Sequence, residues 1–427
     1  MEHQIASSVL SVGLLVFVAH FFTALFERTK VPDVLPLIII GIVIGPTGLN
    51  FVDESNFGNI GSILSAIALA LMLFEGGSHL TFETLRSTLR DCVLLSICTF
   101  FITAGITFSL LYFVLQQELL PALYIGAVLG SISPAVVVPI VRGLKISEIT
   151  KSTLVVESAI SDVLSIVLAL SILKAFQAGG TTLGHFIGTN IIATMAMSIM
   201  VGFGGAIIWS TILEKIRKFP NTIFTSLAFL FILYGLSEVL GYNGPVTTLI
   251  FGLVLANSKK IPLDIIQRFG ADRLIEFTSI EKTLFSEIIF LVKTFFFVYL
   301  GISIKFGQIY FMSIGLLLTM IIYGSRLFLV KYMTPKETSQ REAALIAFII
   351  PKGLAAAVLA EIPIHMDFNE HAHALFLDVQ SIVYAVIFFS ILLTAILIYR
   401  EENRNSSSPF IKKFFKDFRA ITSPSVE

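Results

Sequence analysis

Two acids, Glu157 and Asp162, lie inside a long apolar run of this 427-residue chain, in the stretch Val156-Glu157-Ser158-Ala159-Ile160-Ser161-Asp162-Val163. A charge at the centre of a bilayer is costly, so an acid placed there needs a fixed cation or a task. Five residues turn an α-helix by about 500°, so the two carboxylates point in directions differing by about 140° and do not easily share one ligand. One is expected to be held by a fixed positive charge while the other binds an ion. The basic candidates within apolar runs are Arg326 and Lys352. Arg stays protonated when buried and its planar fork suits a carboxylate, so Glu157 is paired with Arg326 as a structural ion pair. Asp162 is then left with no basic neighbour except Lys352. A lone carboxylate in a dry site can be neutralised by a proton or by a metal cation, but hardly by both at once. Ser133, Ser158 and Ser161, with backbone carbonyls freed near Ile132 by a helix break, would add the neutral oxygen ligands that hard monovalent cations prefer. The alternative for each hydroxyl is a bond back to its own helix.

These residues must be positioned by membrane helices. Of the chain, 56% is hydrophobic and 14% charged, which excludes a water-soluble fold. About twenty apolar residues cross a bilayer as a helix. Hydropathy places thirteen such helices, at roughly 7–26, 33–49, 60–75, 91–115, 121–141, 153–173, 187–210, 222–240, 245–257, 284–304, 309–330, 342–362 and 377–399. The first has no basic start and no small-residue cleavage site, and is read as a retained helix. The fold class is therefore all-α and polytopic. Residues 1–399 form the membrane domain, and 400–427 are a short Ser-rich, charged tail to which no fold is assigned. Net charge is zero and no polybasic run stands alone, so no nucleic-acid partner is expected. Cys92 and Cys98, the only cysteines, fall in an apolar stretch and read as packing residues.

Basic residues occupy every second loop: Arg28/Lys30, Arg86/Arg90, Arg142/Lys145/Lys151, Lys215/Arg217/Lys218, Lys259 to Lys282, and Lys331/Lys336/Arg341. The positive-inside rule puts those loops in the cytoplasm, the amino terminus outside and the carboxyl tail inside a cell (inner) membrane. The loop at roughly 258–283 alternates charges with Ile and Leu and is expected as an amphipathic surface helix.

Two crossings carry an interior Pro with small or polar neighbours. Gly130-Ser131-Ile132-Ser133-Pro134-Ala135-Val136-Val137-Val138-Pro139 lies in the fifth helix, and Ile350-Pro351-Lys352-Gly353-Leu354 in the twelfth. Pro removes a backbone donor and clashes one turn back, so both helices are expected to break near mid-membrane. Seven crossings separate them, so they run in opposite directions, as in an inverted repeat of helices one to six and eight to thirteen with the seventh as linker. Lys352 is expected where half-helix ends meet, offsetting a negative dipole end. Lys293, Glu287, Glu238 and Asp378 are expected near helix ends and left out of the site. Glu75 reads as a packing or gating residue at the inner mouth, and His365, His371 and His373 with Glu370 as a solvated loop.

The run Leu73-Phe74-Glu75-Gly76-Gly77, Ser133-Pro134 through Pro139, Glu157-Ser158 with Asp162, Arg326 in Gly324-Ser325-Arg326-Leu327, and Lys352-Gly353-Leu354 together resemble the monovalent cation/proton antiporter superfamily, including NhaP-type sodium/proton exchangers. The resemblance covers nearly the whole chain, and order and spacing carry it. It implies a homodimer of thirteen-helix protomers with a core that moves as an elevator against a dimerisation scaffold. The core is set at about 60–173 and 284–399 and the scaffold at about 7–49 and 187–257. It implies that Asp162 binds the ion, that Glu157 pairs with Arg326, and that Lys352 stands where an Arg is commoner. NhaP-type members carry Thr-Asp-Pro in the first break, whereas this chain has Ile132-Ser133-Pro134. Members with a single Asp at the Ser161-Asp162 position resemble electroneutral exchangers. The expectation is a secondary antiporter, not an enzyme, exchanging Na+ (or Li+ or K+) for H+ without a cofactor. The alternatives are a K+/H+ antiporter, a non-transporting sensor or channel on the same fold, and an organic-anion symporter.

Overall fold

The computed structural model describes residues 10, 13–21, 34–52, 60–79, 89–177, 183–216, 223–257, 278–366, 370–402 and 413–418. Among the described residues the chain is all-helical. After a helical stretch at 13–21 come α1 (Val34–Ile44), α2 (Ile60–His79) and α3 (Leu89–Ser109), which runs into a π turn (Leu110–Val114). Next are α4 (Leu119–Leu129), α5 (Pro134–Gly143), α6 (Glu148–Gln177), α7 (Leu183–Ile216), α8 (Ile223–Val239) and α9 (Gly244–Ala256). The remainder are α10 (Ser279–Ser303), α11 (Ile309–Met333), α12 (Gln340–Phe348), α13 (Leu354–Glu361) and α14 (Glu370–Glu402). Among the described residues, seven segments are long and apolar enough to cross a bilayer, and five shorter apolar helices accompany them. Large apolar side chains such as Phe17, Phe101 and Met200 point outward, as lipid contact requires.

Both interrupted crossings are broken. The helix expected at 121–141 is α4 and α5 with Ser131–Ser133 extended between them. Pro134 does not kink a helix but starts one, in a first-turn position where its missing N–H has no partner to lose. The helix expected at 342–362 is α12 and α13, with 349–353 unwound and a 3-10 turn (Ile362–His365) at the far end. The unwound segments satisfy each other: the Ser133 N–H donates to the Pro351 carbonyl at 2.9 Å. Gly353 permits that approach, since a Cβ there would lie 2.2 Å from Ser133 Oγ.

Around the crossing, α2 and α10 form a seam between two apolar clusters. The larger cluster gathers side chains from α4, α5 and α11 to α14, and the smaller joins α7, α8 and α9 to one face of α2 and of α10. Two helix pairs pack backbone to backbone through small residues, as membrane helices do. A Cβ on Gly252 of α9 would stand 2.3 Å from the Phe74 carbonyl of α2, and one on Gly301 of α10 would stand 2.3 Å from the Ile38 carbonyl of α1.

Part of the tail departs from expectation by having local structure. Phe415 and Phe418 are buried, and Lys331 and Lys336 of the α11–α12 region lie over the rings of Phe414 and Phe418 at 4.7 and 4.1 Å. The aromatic spacing Phe414-Phe415-x-x-Phe418 is what a short charged tail would need in order to dock. Cys92 and Cys98 are free thiols, and Cys92 Sγ donates to Thr153 Oγ1 at 3.0 Å. The loop expected as a surface helix lies mostly outside the described residues.

Gly353→Ala is expected to cost about 1–3 kcal/mol by overpacking the crossing. Gly324→Ala, whose Cβ would meet nothing within 4 Å, is expected to be neutral or slightly stabilising. Thermal unfolding in detergent compares the two.

Candidate functional site

The site is built on α6, which places Glu157 and Asp162 on different sides of one helix beside the crossing. Glu157 and Arg326 of α11 form a two-pronged ion pair, Nη1–Oε1 and Nη2–Oε2 both 2.6 Å, with each side chain 1% exposed. Arg326 also donates to Thr99 Oγ1 on α3 and, through Nε and Nη2 at 3.4 and 3.3 Å, to the Ile346 carbonyl in the last turn of α12. One guanidinium thus ties α3, α6, α11 and α12 together, and places positive charge at the negative end of a half-helix.

Lys352 occupies the second break, fully buried, and its Nζ donates to the Ser131 carbonyl at 2.7 Å. Ser131 follows the carboxyl end of α4, so the ammonium covers the other negative half-helix end. Its backbone N–H donates to Ser390 Oγ of α14 at 2.9 Å. The acidic residue absent from the first break is replaced by this carbonyl and dipole.

Asp162 is 6% exposed, and its Oδ1 has no hydrogen-bond partner. It lines a cavity of about 260 Å³ with Ser133, Pro134 and Ala135 at the start of α5 and Leu354 and Ala355 at the start of α13. At about 30 Å³ per water, that is room for a partly hydrated alkali cation. The amino ends of both half-helices border this space, and the carboxyl ends are the two capped by cations.

The hydroxyls expected as ligands divide. Ser133 shares the cavity with Asp162. Ser158 Oγ donates to the Val155 carbonyl at 2.9 Å, which is the back-bonding alternative. Ser161 Oγ donates to the Ser158 carbonyl at 3.0 Å and accepts from the Ile132 N–H at 3.0 Å, so it fastens α6 to the first break. Neither Ser158 nor Ser161 lines the cavity. Among the described residues no group of three or more His, Cys, Asp or Glu side chains is set to hold a metal; the side chains of His365 and His371 lie outside those residues. Glu287 and Glu238 are exposed, Glu238 accepting from the Gly244 N–H at 2.8 Å, and Asp378 is half-buried.

Lys293, left out of the site in the sequence, and Glu75, read there as a packing or gating residue, both belong to the cavity wall. Lys293 is 8% exposed and lines it from α10, instead of snorkelling to an interface. Glu75 lines it from α2. A third residue was missed: Glu361, at the end of α13, is buried and accepts from Ser65 of α2 at 2.7 Å and from Tyr299 of α10 at 3.0 Å. An acid eight residues beyond a helix break in an apolar run was the signal that marked it.

The site thus combines a buried arginine–carboxylate pair, two broken helices that cross, and beside the crossing an acid whose Oδ1 has no hydrogen-bond partner. The sequence profile of the transmembrane sodium/hydrogen exchanger family matches residues 14–399. This chain belongs to the sodium/hydrogen exchanger family. It is similar to the K(+)/H(+) antiporter NhaP2 of Shewanella baltica, 26% identical over 262 residues, which are 60% of this chain and 44% of that protein. The chain thus matches less than half the length of that relative. Similarity to the Na(+)/H(+) antiporter 1 of Methanocaldococcus jannaschii is 24% over 370 residues, 82% of this chain and 81% of the relative. In fold, the chain resembles the structure of the sodium proton antiporter MjNhaP1 from Methanocaldococcus jannaschii at pH 8, with a TM-score of 0.72, 23% identity and coverage of 94% of this chain and 97% of that one. The relatives are named as transporters, not enzymes.

Arg326→Ala is expected to destabilise the protein by about 3–5 kcal/mol by leaving Glu157 buried without its cation. Asp162→Asn breaks no hydrogen bond at Oδ1 and is expected to leave stability within about 1 kcal/mol of the parent. Thermal unfolding in detergent reads both.

Proposed function

We propose that this chain is a secondary antiporter that exchanges one monovalent cation for one proton, with Asp162 carrying each in turn. The observation that carries the reading is that Asp162, whose buried Oδ1 has no hydrogen-bond partner, lines a cavity large enough for a cation. The contrast with Glu157 supports it: one acid on α6 is locked to a guanidinium, and the other is left for something that comes and goes. A proton or a cation completes Asp162, and each must leave before the other binds. Ser133 and the Asp162 carboxylate supply oxygen to the bound ion, Lys352 and Arg326 hold the two breaks, and Ser161 fastens Ile132. Lowering pH fills the carboxylate with protons and so weakens apparent cation affinity.

The cation is Na+, Li+ or K+. The Shewanella relative is named for K+ and the archaeal relative for Na+, and oxygen ligands accept either. Two copies form a homodimer in a cell (inner) membrane. The charge bias of the loops sets the amino terminus outside and the tail in the cytoplasm. The cavity reaches Arg142, at the end of α5 that leads into a basic loop, so this conformation faces the cytoplasm. Alternating access is elevator-like. The packing of α2 on α9 and of α10 on α1 favours a scaffold that includes both seam helices, against which α3 to α6 and α11 to α14 slide.

Proteoliposomes loaded with a pH-sensitive dye test the proposal. Addition of Na+, Li+ or K+ is expected to move protons in the wild type and not in Asp162→Asn. Exchange retained in that folded variant would remove Asp162 from the mechanism. A net charge moved per cycle would feel about 2.3 kcal/mol per 100 mV. One-for-one exchange therefore predicts no sustained current on a solid-supported membrane, and a sustained current would contradict it.

A further inference from the structure

Among the described residues, Glu361 is a buried carboxylate beside the cavity to which the site described above gives no task. Glu361 closes α13, 3% exposed, and its two oxygens accept from Ser65 Oγ at 2.7 Å and Tyr299 Oη at 3.0 Å, both donors buried as well. The three residues sit on three helices that also line the Asp162 cavity, and on each they lie on the same side of it. On α13, Leu354 and Ala355 face the cavity and Glu361 is six residues further on. On α10, the lining runs from Ser286 to Lys293 and Tyr299 is six residues beyond. On α2, the lining runs from Leu69 to Gly76 and Ser65 precedes it. Six residues of helix are about 9 Å. The cluster therefore stands at the end of the cavity remote from Arg142, where α13 meets the seam helices.

We propose that Glu361 is the positioning residue that shuts this remote end, by holding α13 to α2 and α10 through Ser65 and Tyr299. The inference rests on reading the chain as an alternating-access antiporter. For the ion to leave on the remote side, α13 must part from α2 and α10, and both hydrogen bonds to the carboxylate must break. A buried polar group that loses its hydrogen-bond partners carries the full cost of its desolvation, so a carboxyl group parted from Ser65 and Tyr299 while still dry would be heavily penalised. Parting therefore proceeds only as water or a cation reaches Glu361, which couples opening of the remote end to wetting of it. The latch sets how often the cavity faces each side, without touching the ion bound at Asp162.

Sided labelling of a single thiol reads that balance. In a Cys92→Ala/Cys98→Ala background, Ala355→Cys places a thiol on the cavity wall, and a charged, membrane-impermeant maleimide is added to one face of sealed vesicles at a time. The parent is expected to label from the Arg142 side. Glu361→Ala, Tyr299→Phe and Ser65→Ala are each expected to raise the ratio of remote-side to near-side labelling, by on the order of tenfold for a lost hydrogen bond. Tyr299→Phe added to Glu361→Ala is expected to change the ratio no further, because the partner is already gone. Should Glu361→Ala fail to fold, the two hydroxyl variants, which keep the carboxylate, carry the test. A ratio equal to the parent's in the folded variants would overturn the proposal, as would full additivity of the Glu361 and Tyr299 changes. A loss of stability without a change in ratio would mark the cluster as packing alone and also overturn it. Labelling needs no transport, so a wild type that exchanges no cation would remove the antiport reading while this ratio still reported on the latch.

Discussion

The structure depends on one short contact between two unwound segments, the hydrogen bond from the Ser133 N–H to the Pro351 carbonyl. In lipid a backbone cannot unwind unless something satisfies the groups it frees, and here two unwound segments satisfy each other. Once they cross, four half-helix ends lie close together. The two negative ends are met by the buried cations, Lys352 at Ser131 and Arg326 at Ile346. The two positive ends, at the starts of α5 and α13, are left bordering the cavity that Asp162 lines. The separation of a locked acid from an available one follows from that geometry, because the guanidinium that serves α12 is also the one that reaches Glu157.

The cavity is asymmetric in charge. Asp162 and Glu75 line it with Lys293 and Arg142, so both signs of charge stand on its wall. The close packing of α2 on α9 and α10 on α1 gives the cavity one wall unlike the others, fixed to neighbours by backbone contact at glycines. A wall held that tightly resists displacement, because a shift of even a fraction of an ångström at Gly252 or Gly301 meets backbone atoms.

Much of this was legible in the sequence because membrane burial makes charge and proline conspicuous. Glu157, Asp162, Arg326 and Lys352 stood out against apolar runs, and Pro134 and Pro351 marked both breaks. The rest was hidden for identifiable reasons. Serine reads alike as ligand and as helix back-bonder, so only coordinates separate Ser133, on the cavity, from Ser158, bonded to its own helix. Lys293 looked like a residue that reaches an interface, and its burial depends on what α10 packs against, which no local pattern records. Glu361 was overlooked because its donors, Ser65 and Tyr299, are distant in sequence. Both breaks were located to within a few residues, and even the short apolar helices α1 and α9 fall inside the stretches that hydropathy placed at 33–49 and 245–257.

The central claim is that a proton and a cation compete for Asp162. Its most direct test is proton release on cation binding, recorded with a pH indicator in a weakly buffered detergent solution of the purified protein as NaCl or KCl is added against a choline chloride control. The account predicts that about one proton leaves per protomer as the cation binds, and that none leaves in Asp162→Asn. Cation binding without proton release, or release that persists in that variant, would contradict it.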